Sequence, residues 1–365
     1  MKVLVINTSP AFHDGITNVI VNINHAIEKK NLKMDILVVA KPNDSFIKKM
    51  ENENSTVYYL PRSIRGIVKY MVALYKIIKN NSYDIVHIHG NSHTTVIELL
   101  CAFVAGCGVR IVHAHNTFCL EKIIHIISTP LFDLLCTNRF ACGEAAGIFM
   151  YGNHHFDVIK NGIDTNRFKF SITDRNKMRS EFGLEEKFVI GHVGTLNNAH
   201  KNQEFLIDIL NELLKKDTKY HLCLIGDGQD KKNLQNKIIS YGIDNAVTFV
   251  GAVDDSAPYL SMFDLIVMPS IYEGLPISLI EEQANGLTCI VSDSISNEVD
   301  ITGNVIFLSL NEGSKKWASI INEFSSVFKT REDISMKSIL SIVKCGYDIH
   351  EEANCVLNKY QEATK

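Results

Sequence analysis

The chain contains no Cys-x-x-Cys pair. Its nine cysteines, among them Cys101, Cys107, Cys119 and Cys136, mostly sit inside apolar runs, which points to reduced core residues and away from a zinc site or a disulfide framework. That usage favours the cytosol. A secretion signal is not expected, because the apolar core of MKVLVINTSP closes at Asn7 after a few residues. Nothing approaches the roughly 18 uninterrupted apolar residues of a membrane span, so any membrane contact is expected to be peripheral. The absence of a solenoid-length repeat and of low-complexity segments excludes a repeat scaffold. Two chemical signatures are also missing. NTSPAFHDGITN follows the first strand in place of G-x-G-x-x-G, which disfavours a dinucleotide dehydrogenase, and no Asp-x-Asp triad marks a strand end where a divalent cation would sit.

What remains is an ordinary globular composition. With 365 residues, 46% hydrophobic and 21% charged, the chain is long enough for two domains. Its net charge of −4 is uneven: residues 1–165 carry 16 Lys+Arg against 13 Asp+Glu, and the rest carries 21 against 28. The first part is thus +3 and the second −7, so the two are expected to meet different partners, neither of them a nucleic acid. Ten of the 14 histidines also fall in the first part.

Short Val/Ile runs alternate with longer amphipathic ones. Lys2 to Ile6, Asp35 to Val39, Asp84 to Ile88 and Arg110 to His113 read as buried parallel strands, with helices near 16–30, 63–79, 93–105 and 120–135. A weaker strand at Val158-Ile159 ends in the turn Asn161-Gly162, and a polar stretch with little periodicity follows to about Lys187. The rhythm then restarts at Phe188 to Val193 and continues through Tyr220 to Ile225, Val247 to Val250, Leu265 to Met268 and Cys289 to Val291, with helices near 202–216 and 277–285. Plain helical stretches near 315–328 and 333–362 close the chain. The expected fold class is α/β, with two Rossmann-like doubly wound domains facing a central cleft: 1–165, and 166–346, with a terminal helix near 347–365 packing back on the first.

The stretch EGLPISLIE (273–281) places two acids around an oily segment. Pro276 suits the start of a helix, which puts Glu273 and the amides of Gly274 and Leu275 at a strand end and helix N-terminus, a natural anion seat. Glu281, one to two turns on, could accept hydrogen bonds from a neutral polyol. The bland alternative is that Glu273 complements the helix dipole and Glu281 pairs with a cation. Upstream, a strand ends at Val193-Gly194, and Lys201 stands just before a helix where it can reach a diphosphate. Gly226 and Gly228 mark another strand-to-helix turn, a weak signal since such turns often need glycine for geometry alone. Gly15 lies between the first strand and the first helix.

Taken in order, Gly15-Ile16, DIVHIHG (84–90), RIVHAHNT (110–117), NGID (161–164), VGTL with Lys201-Asn202, IGDG (225–228), VTFVGAVDD (247–255) and EGLPISLIEEQANGL (273–287) resemble glycosyltransferase family 4, whose members are retaining GT-B enzymes that use nucleotide sugars. The resemblance spans about residues 1–310. It implies that Lys201 and the amides of Gly274, Leu275 and Pro276's turn hold the donor diphosphate, that Glu281 holds the ribose, and that Glu273 meets the donor sugar hydroxyls. It further implies that the backbone at Val250-Gly251 meets the base, that Gly15, Gly194, Thr195 and Gly226 line the donor, and that His115 lies near the reacting sugar carbon. His115, Glu273 and Lys201 are the implied catalytic residues. His87, His89 and His113 read instead as hydrogen-bonded core histidines. One departure stands out: relatives usually carry arginine where this chain has Thr195, so the diphosphate loses one cation and the helix amides are expected to carry more of the load.

No metal and no other cofactor is expected, since Lys201 and helix dipoles would stabilise the leaving diphosphate. Asp254-Asp255 reads as a helix cap. The implied activity is transfer of a hexose or N-acetylhexosamine from a nucleotide sugar, with UDP the expected carrier, to a glycan acceptor. The RIVHAHNT and GIT forms look most like bacterial capsule and exopolysaccharide transferases acting on lipid-linked glycans such as polyprenyl-diphosphate acceptors. The competing classes are a GT-B epimerase or phosphorylase and a catalytically silent nucleotide-sugar-binding protein. Finally, RSIRGIVKYMVALYKIIK (62–79) reads as a helix with Arg62, Arg65, Lys69, Lys76 and Lys79 and no acid. The bland alternative is a helix packed on the first sheet with a solvated basic edge; the absence of any acid favours peripheral docking on the inner face of an anionic membrane, in an otherwise cytoplasmic protein.

Overall fold

The computed structural model describes residues 1–10, 15–119, 122–325 and 330–365. The chain divides into two compact units, Met1–Gly162 with Gly346–Lys365, and Ile163–Cys345. Residues 163–165 therefore group with the second unit.

In the first unit the Val/Ile runs form β1 (Lys2–Asn7), β2 (Lys33–Val38), β3 (Val57–Tyr59), β4 (Ile85–His89), β5 (Val109–Ala114), β6 (Asn138–Ala141) and β7 (Asp157–Val158). All pair in parallel, in the order β3-β2-β1-β4-β5-β6-β7. β4 is buried at every residue, as a central strand covered on both faces must be. Its register places His89 beside His113 of β5. The crossover helices Ile67–Asn81, Val96–Ala105 and Lys122–Leu135 lead into β4, β5 and β6 and pack in that sequence against one another. The terminal helix Ile349–Ala363 packs on the helix Gly15–Ala26. It is tied down at two points: the Gly162 amide donates to Glu352 Oε2 (2.5 Å), and Tyr360 Oη lies 2.6 Å from His87 Nδ1. Gly162 is required there, because a Cβ would stand 2.8 Å from the same carboxylate oxygen.

The expected basic helix over 62–79 needs correction. The helix runs Ile67–Asn81 after a short 3-10 turn at Ile64–Gly66, and Arg62 precedes both. Glu98 is fully buried and needs a partner; Arg62 Nε supplies it at 3.0 Å, with Tyr70 Oη donating at 2.8 Å. Arg62 is consumed by the interior and is not part of a basic surface.

The second unit contains β8 (Phe188–Val193), β9 (Tyr220–Ile225), β10 (Val247–Gly251), β11 (Leu265–Met268), β12 (Thr288–Ser292) and β13 (Val305–Leu308), parallel in the order β10-β9-β8-β11-β12-β13. The helix Gln203–Leu214 buries Leu206, Ile209, Leu210 and Leu213, the stripe its spacing required. The polar stretch before Lys187 holds a helix, Ile172–Phe182, that periodicity did not reveal. It is anchored through Arg175 and Arg179, which both pair with Asp264, so charge does there what an apolar stripe does elsewhere. The single helical stretch expected over 333–362 is two helices, Arg331–Lys344 and Ile349–Ala363, parted at Gly346 (φ 74°). The stretch expected over 315–328 is the helix Gly313–Phe324, and its last expected residues lie outside the described ones.

Candidate active site

In the second unit two strand ends and two helix starts converge. After β8 the chain passes Gly194 (φ 159°), an exposed Thr195 and a buried Leu196 into a one-turn helix, Asn198–Lys201. Asn202, left-handed at φ 55° and ψ 43°, ends that turn and redirects the chain into Gln203–Leu214. Lys201 is thereby held at the turn, its Nζ 2.6 Å from Glu273 Oε1. Ser270 Oγ donates to the same oxygen at 2.8 Å. Glu273 follows β11, and the helix Ile277–Ala284 begins behind Pro276. The Gly274 and Leu275 amides make no hydrogen bond among the described residues, and a Cβ on Gly274 would meet open space. The result is a half-buried ammonium beside a helix N-terminus with unspent N–H groups, the ingredients of an anion site.

Glu281 lies farther along that helix, on its less buried side. Burial pushes its carboxyl up to about 8, with Arg167 favouring the charged form and Asp255 opposing it. Arg167 Nη2 pairs with Asp255 Oδ1 at 2.8 Å, and the same oxygen accepts from the Ala257 amide at 3.0 Å, the capping role expected of this acid. Gly226 has a steric duty of its own: at φ 129°, a Cβ would stand 2.0 Å from the Gly194 carbonyl oxygen. Its amide donates to the Gly251 carbonyl at 2.8 Å, and the β10 register shifts between Phe249 and Gly251, leaving Val250 as the bulged residue. Gly194, Gly226, Val250 and Gly251 therefore belong to one layer of touching turns. Glu282, the neighbour of Glu281, was not singled out by the sequence. It is fully buried, neither carboxylate oxygen has a partner among the described residues, and burial raises its carboxyl well above the usual range. An acid among the apolar positions of a helix was the available signal.

The first unit holds a different arrangement. His87 and His89 on β4 face His113 on β5 and His115 just beyond it, with ring centroids 4.3 to 5.5 Å apart. His115 Nε2 lies 2.8 Å from His89 Nδ1, and the His115 amide donates to Asn91 Oδ1 at 2.9 Å. Its Nδ1 is buried and has no partner among the described residues. Burial pushes His87 and His115 down to about 3 and His89 and His113 well below the imidazole range, so all four are neutral. Both nitrogens of His113 lack a hydrogen bond of sound geometry, although the main chain of Ile159 acts on its titration. One nitrogen from each of His87, His89 and His113 lies within 4.8 Å of the others. Within this trio the His87 and His113 rings stack with 4° between them, and His89 is tilted 34° to each. Three of the four are buried strand residues, as expected, but His89 has a further role that its sequence setting did not show, because it bonds directly to His115. Gly15 is the first residue of its helix, exposed and with open space about it; residues 11–14 before it lie outside the described ones.

Residues 174–338 match the family model for glycosyl transferases group 1. The chain is 27% identical over 375 residues, 96% of its length and 94% of the relative's, to the putative glycosyltransferase EpsF of Bacillus subtilis (strain 168). It is also 27% identical over 290 residues, 73% of each chain, to an Escherichia coli UDP-Gal:alpha-D-GlcNAc-diphosphoundecaprenol alpha-1,3-galactosyltransferase. Among solved structures it is similar in fold to Anabaena HepE in complex with UDP and glucose, at a TM-score of 0.81 and 19% identity, covering 99% of this chain and all of that one.

Proposed function

Because this chain carries a glycosyl transferases group 1 domain and is a GT-B glycosyltransferase of polysaccharide biosynthesis, we propose that it transfers a hexose or N-acetylhexosamine, with retention, from a UDP-sugar to a lipid-linked glycan. The observation that carries the reading is the pairing of Lys201 with Glu273 beside the unspent Gly274 and Leu275 amides. A donor diphosphate fits this seat: the amides and helix dipole meet its oxygens, and Lys201 Nζ stabilises the charge that builds as the sugar–phosphate bond breaks. Glu273, which shares Lys201, accepts from donor sugar hydroxyls, and Glu281 accepts from the ribose. Thr195 adds no charge, so the ammonium and the amides share the load. The role assigned to His115 is at the reacting carbon, through an Nδ1 that has no partner among the described residues. In the retaining reaction the acceptor hydroxyl attacks the face the diphosphate leaves, and its proton passes to the departing phosphate. No divalent cation is needed for these steps, since Lys201 and the helix terminus supply the positive potential.

The acceptor reading is supported by the Escherichia coli relative, whose name specifies a diphosphoundecaprenol-linked sugar. Release of nucleotide should be screened across UDP-, GDP- and ADP-sugars, with and without a polyprenyl-diphosphate glycan and after exhaustive chelation. Acceptor-dependent release of UDP that survives EDTA is expected. Turnover that needs no acceptor points to an epimerase, binding without release to a silent nucleotide-sugar protein, and restoration by Mg²⁺ or Mn²⁺ overturns the metal-independent mechanism.

A further inference from the structure

A crossover helix on an α/β sheet normally turns its apolar stripe inward and its polar residues outward. The helix Lys122–Leu135, KIIHIISTPLFDLL, does the reverse. Only Phe132 and Leu135 are buried. Ile123, Ile124, Ile126, Ile127, Leu131 and Leu134 face solvent, with Ile123 75% and Leu134 78% exposed. Of its two formal charges, Asp133 is taken up by Arg139 at 3.1 Å, which leaves Lys122 as the outward one. Scattered exposed leucines need no explanation, but six branched aliphatics on one 14-residue helix form a continuous ridge.

The same layer continues the pattern. The helix Ile67–Asn81, separated from the ridge by Val96–Ala105, exposes Val68 and Val72 between Arg65, Lys69 and Lys76. Both helices begin at the carboxyl edge of the sheet, and the Ile123–Ile127 turn follows shortly after His115 at the end of β5. Among the described residues no helix is long and apolar enough to cross a membrane. An apolar ridge on one helix and basic side chains on another of the same layer, both too short to span, have the chemistry of an interfacial element: aliphatics enter the acyl boundary and cations meet anionic headgroups.

We propose that the first unit inserts the ridge of helix Lys122–Leu135 into the surface of an anionic bilayer, with Arg65, Lys69 and Lys76 as a second, electrostatic contact. This changes the expected docking from a basic helix alone to a hydrophobic insertion at a different helix, without Arg62. It deepens the lipid-linked acceptor reading and rests on it for its purpose, since insertion brings the His115 end of the sheet to the depth at which a lipid-borne sugar is presented.

The test is co-sedimentation of the full chain with vesicles of zwitterionic lipid, with and without phosphatidylglycerol, in the absence of acceptor. The native chain is expected to bind, more strongly with the anionic lipid. Ile124→Ser with Ile127→Ser should lower partitioning about tenfold on both vesicle types. Lys69→Ser with Lys76→Ser should remove only the gain from anionic lipid. All four positions are exposed, so unchanged circular dichroism and unchanged UDP-sugar turnover on a water-soluble acceptor are expected, and these separate failure of docking from failure of the activity. Vesicle binding that ignores the isoleucine substitutions overturns the proposal. So does a native chain that leaves vesicles alone and sediments as a dimer that the same substitutions dissociate, because the ridge then belongs to a second copy.

Discussion

The first unit keeps four imidazoles neutral and stacked on one face of β4 and β5, while the second pairs Lys201 with Glu273. Both bury polar groups at the carboxyl ends of parallel strands, yet they meet the desolvation cost differently. Imidazole can shed its proton and pack as an aromatic ring, whereas the ammonium of Lys201 and the carboxylate of Glu273, beside a helix N-terminus, meet the cost by pairing with each other. The difference assigns chemistry. A neutral, hydrogen-bonding face suits hydroxyl groups, and a charged turn at a helix start suits an anion.

Acid should separate the units most. The buried imidazoles of the first unit are lowered from 6.5, so they bind no proton when folded but bind one when unfolded. Their contribution is intact above about pH 6.5 and is lost as pH falls below it, by up to about 1.4 kcal/mol per pH unit for each imidazole. The second unit has only His192 and His221 in this condition, both lowered to about 4. Hydrogen exchange followed from neutral to mildly acidic pH should show protection falling faster in β4 and β5 than in β8 and β9; equal losses would dissolve the distinction.

The next effect is on the charged seat. Lys201→Ala leaves Glu273 with only its Ser270 hydrogen bond and removes the cation, and should cost about 2–4 kcal/mol in kcat/KM for the nucleotide sugar, on the order of a hundredfold, with the fold retained. Near-native turnover would move the diphosphate elsewhere.

Within the neutral stack the histidines should sort by their contacts. His115→Ala is expected to lower kcat by about tenfold or more, and His89→Ala by somewhat less, because it leaves His115 present but without its 2.8 Å partner. His87→Phe, which removes only the bond to Tyr360, should lower thermal stability and spare kcat. If His87 and His89 variants behave alike, the stack is a core feature throughout.

The smallest effect sharpens the donor side. With Glu281 raised to about 8, the carboxylate form proposed to accept from a ribose is the minor one at neutral pH. Donor KM should therefore fall as pH rises, by about tenfold between pH 7 and a plateau above 8, and Glu281→Gln should flatten the profile. A KM indifferent to pH in the native chain removes Glu281 from the ribose.

Much of this was legible in the linear pattern. Periodicity revealed most of the parallel strands and the stripe of Gln203–Leu214, because the apolar period of a packed element is local. The strands β3, β6 and β13 were not read from the sequence, and Ile172–Phe182 was hidden because ion pairs to Asp264 hold it. At the site, Lys201, Glu273 and the EGLP turn could be singled out because strand ends and helix starts have recognisable residues.

Other matters depended on which segments meet in space. That Lys201 and Glu273 touch, that Gly226 must be glycine because of the Gly194 carbonyl, and that His89 bonds to His115 are contacts between distant segments. The outward turn of Ile123 to Leu134 was equally hidden: an apolar helix reads the same whether it is buried or bare, since its composition reports hydrophobicity and only its neighbours decide what covers it. Sequence by itself determined the alternation of strand and helix and the chemical types at each turn, because those follow from local backbone and side-chain preferences. Tertiary structure alone decided which charges are spent internally, as with Arg62 on Glu98, and which surfaces remain for a ligand or a membrane, because burial and pairing are properties of the packed chain.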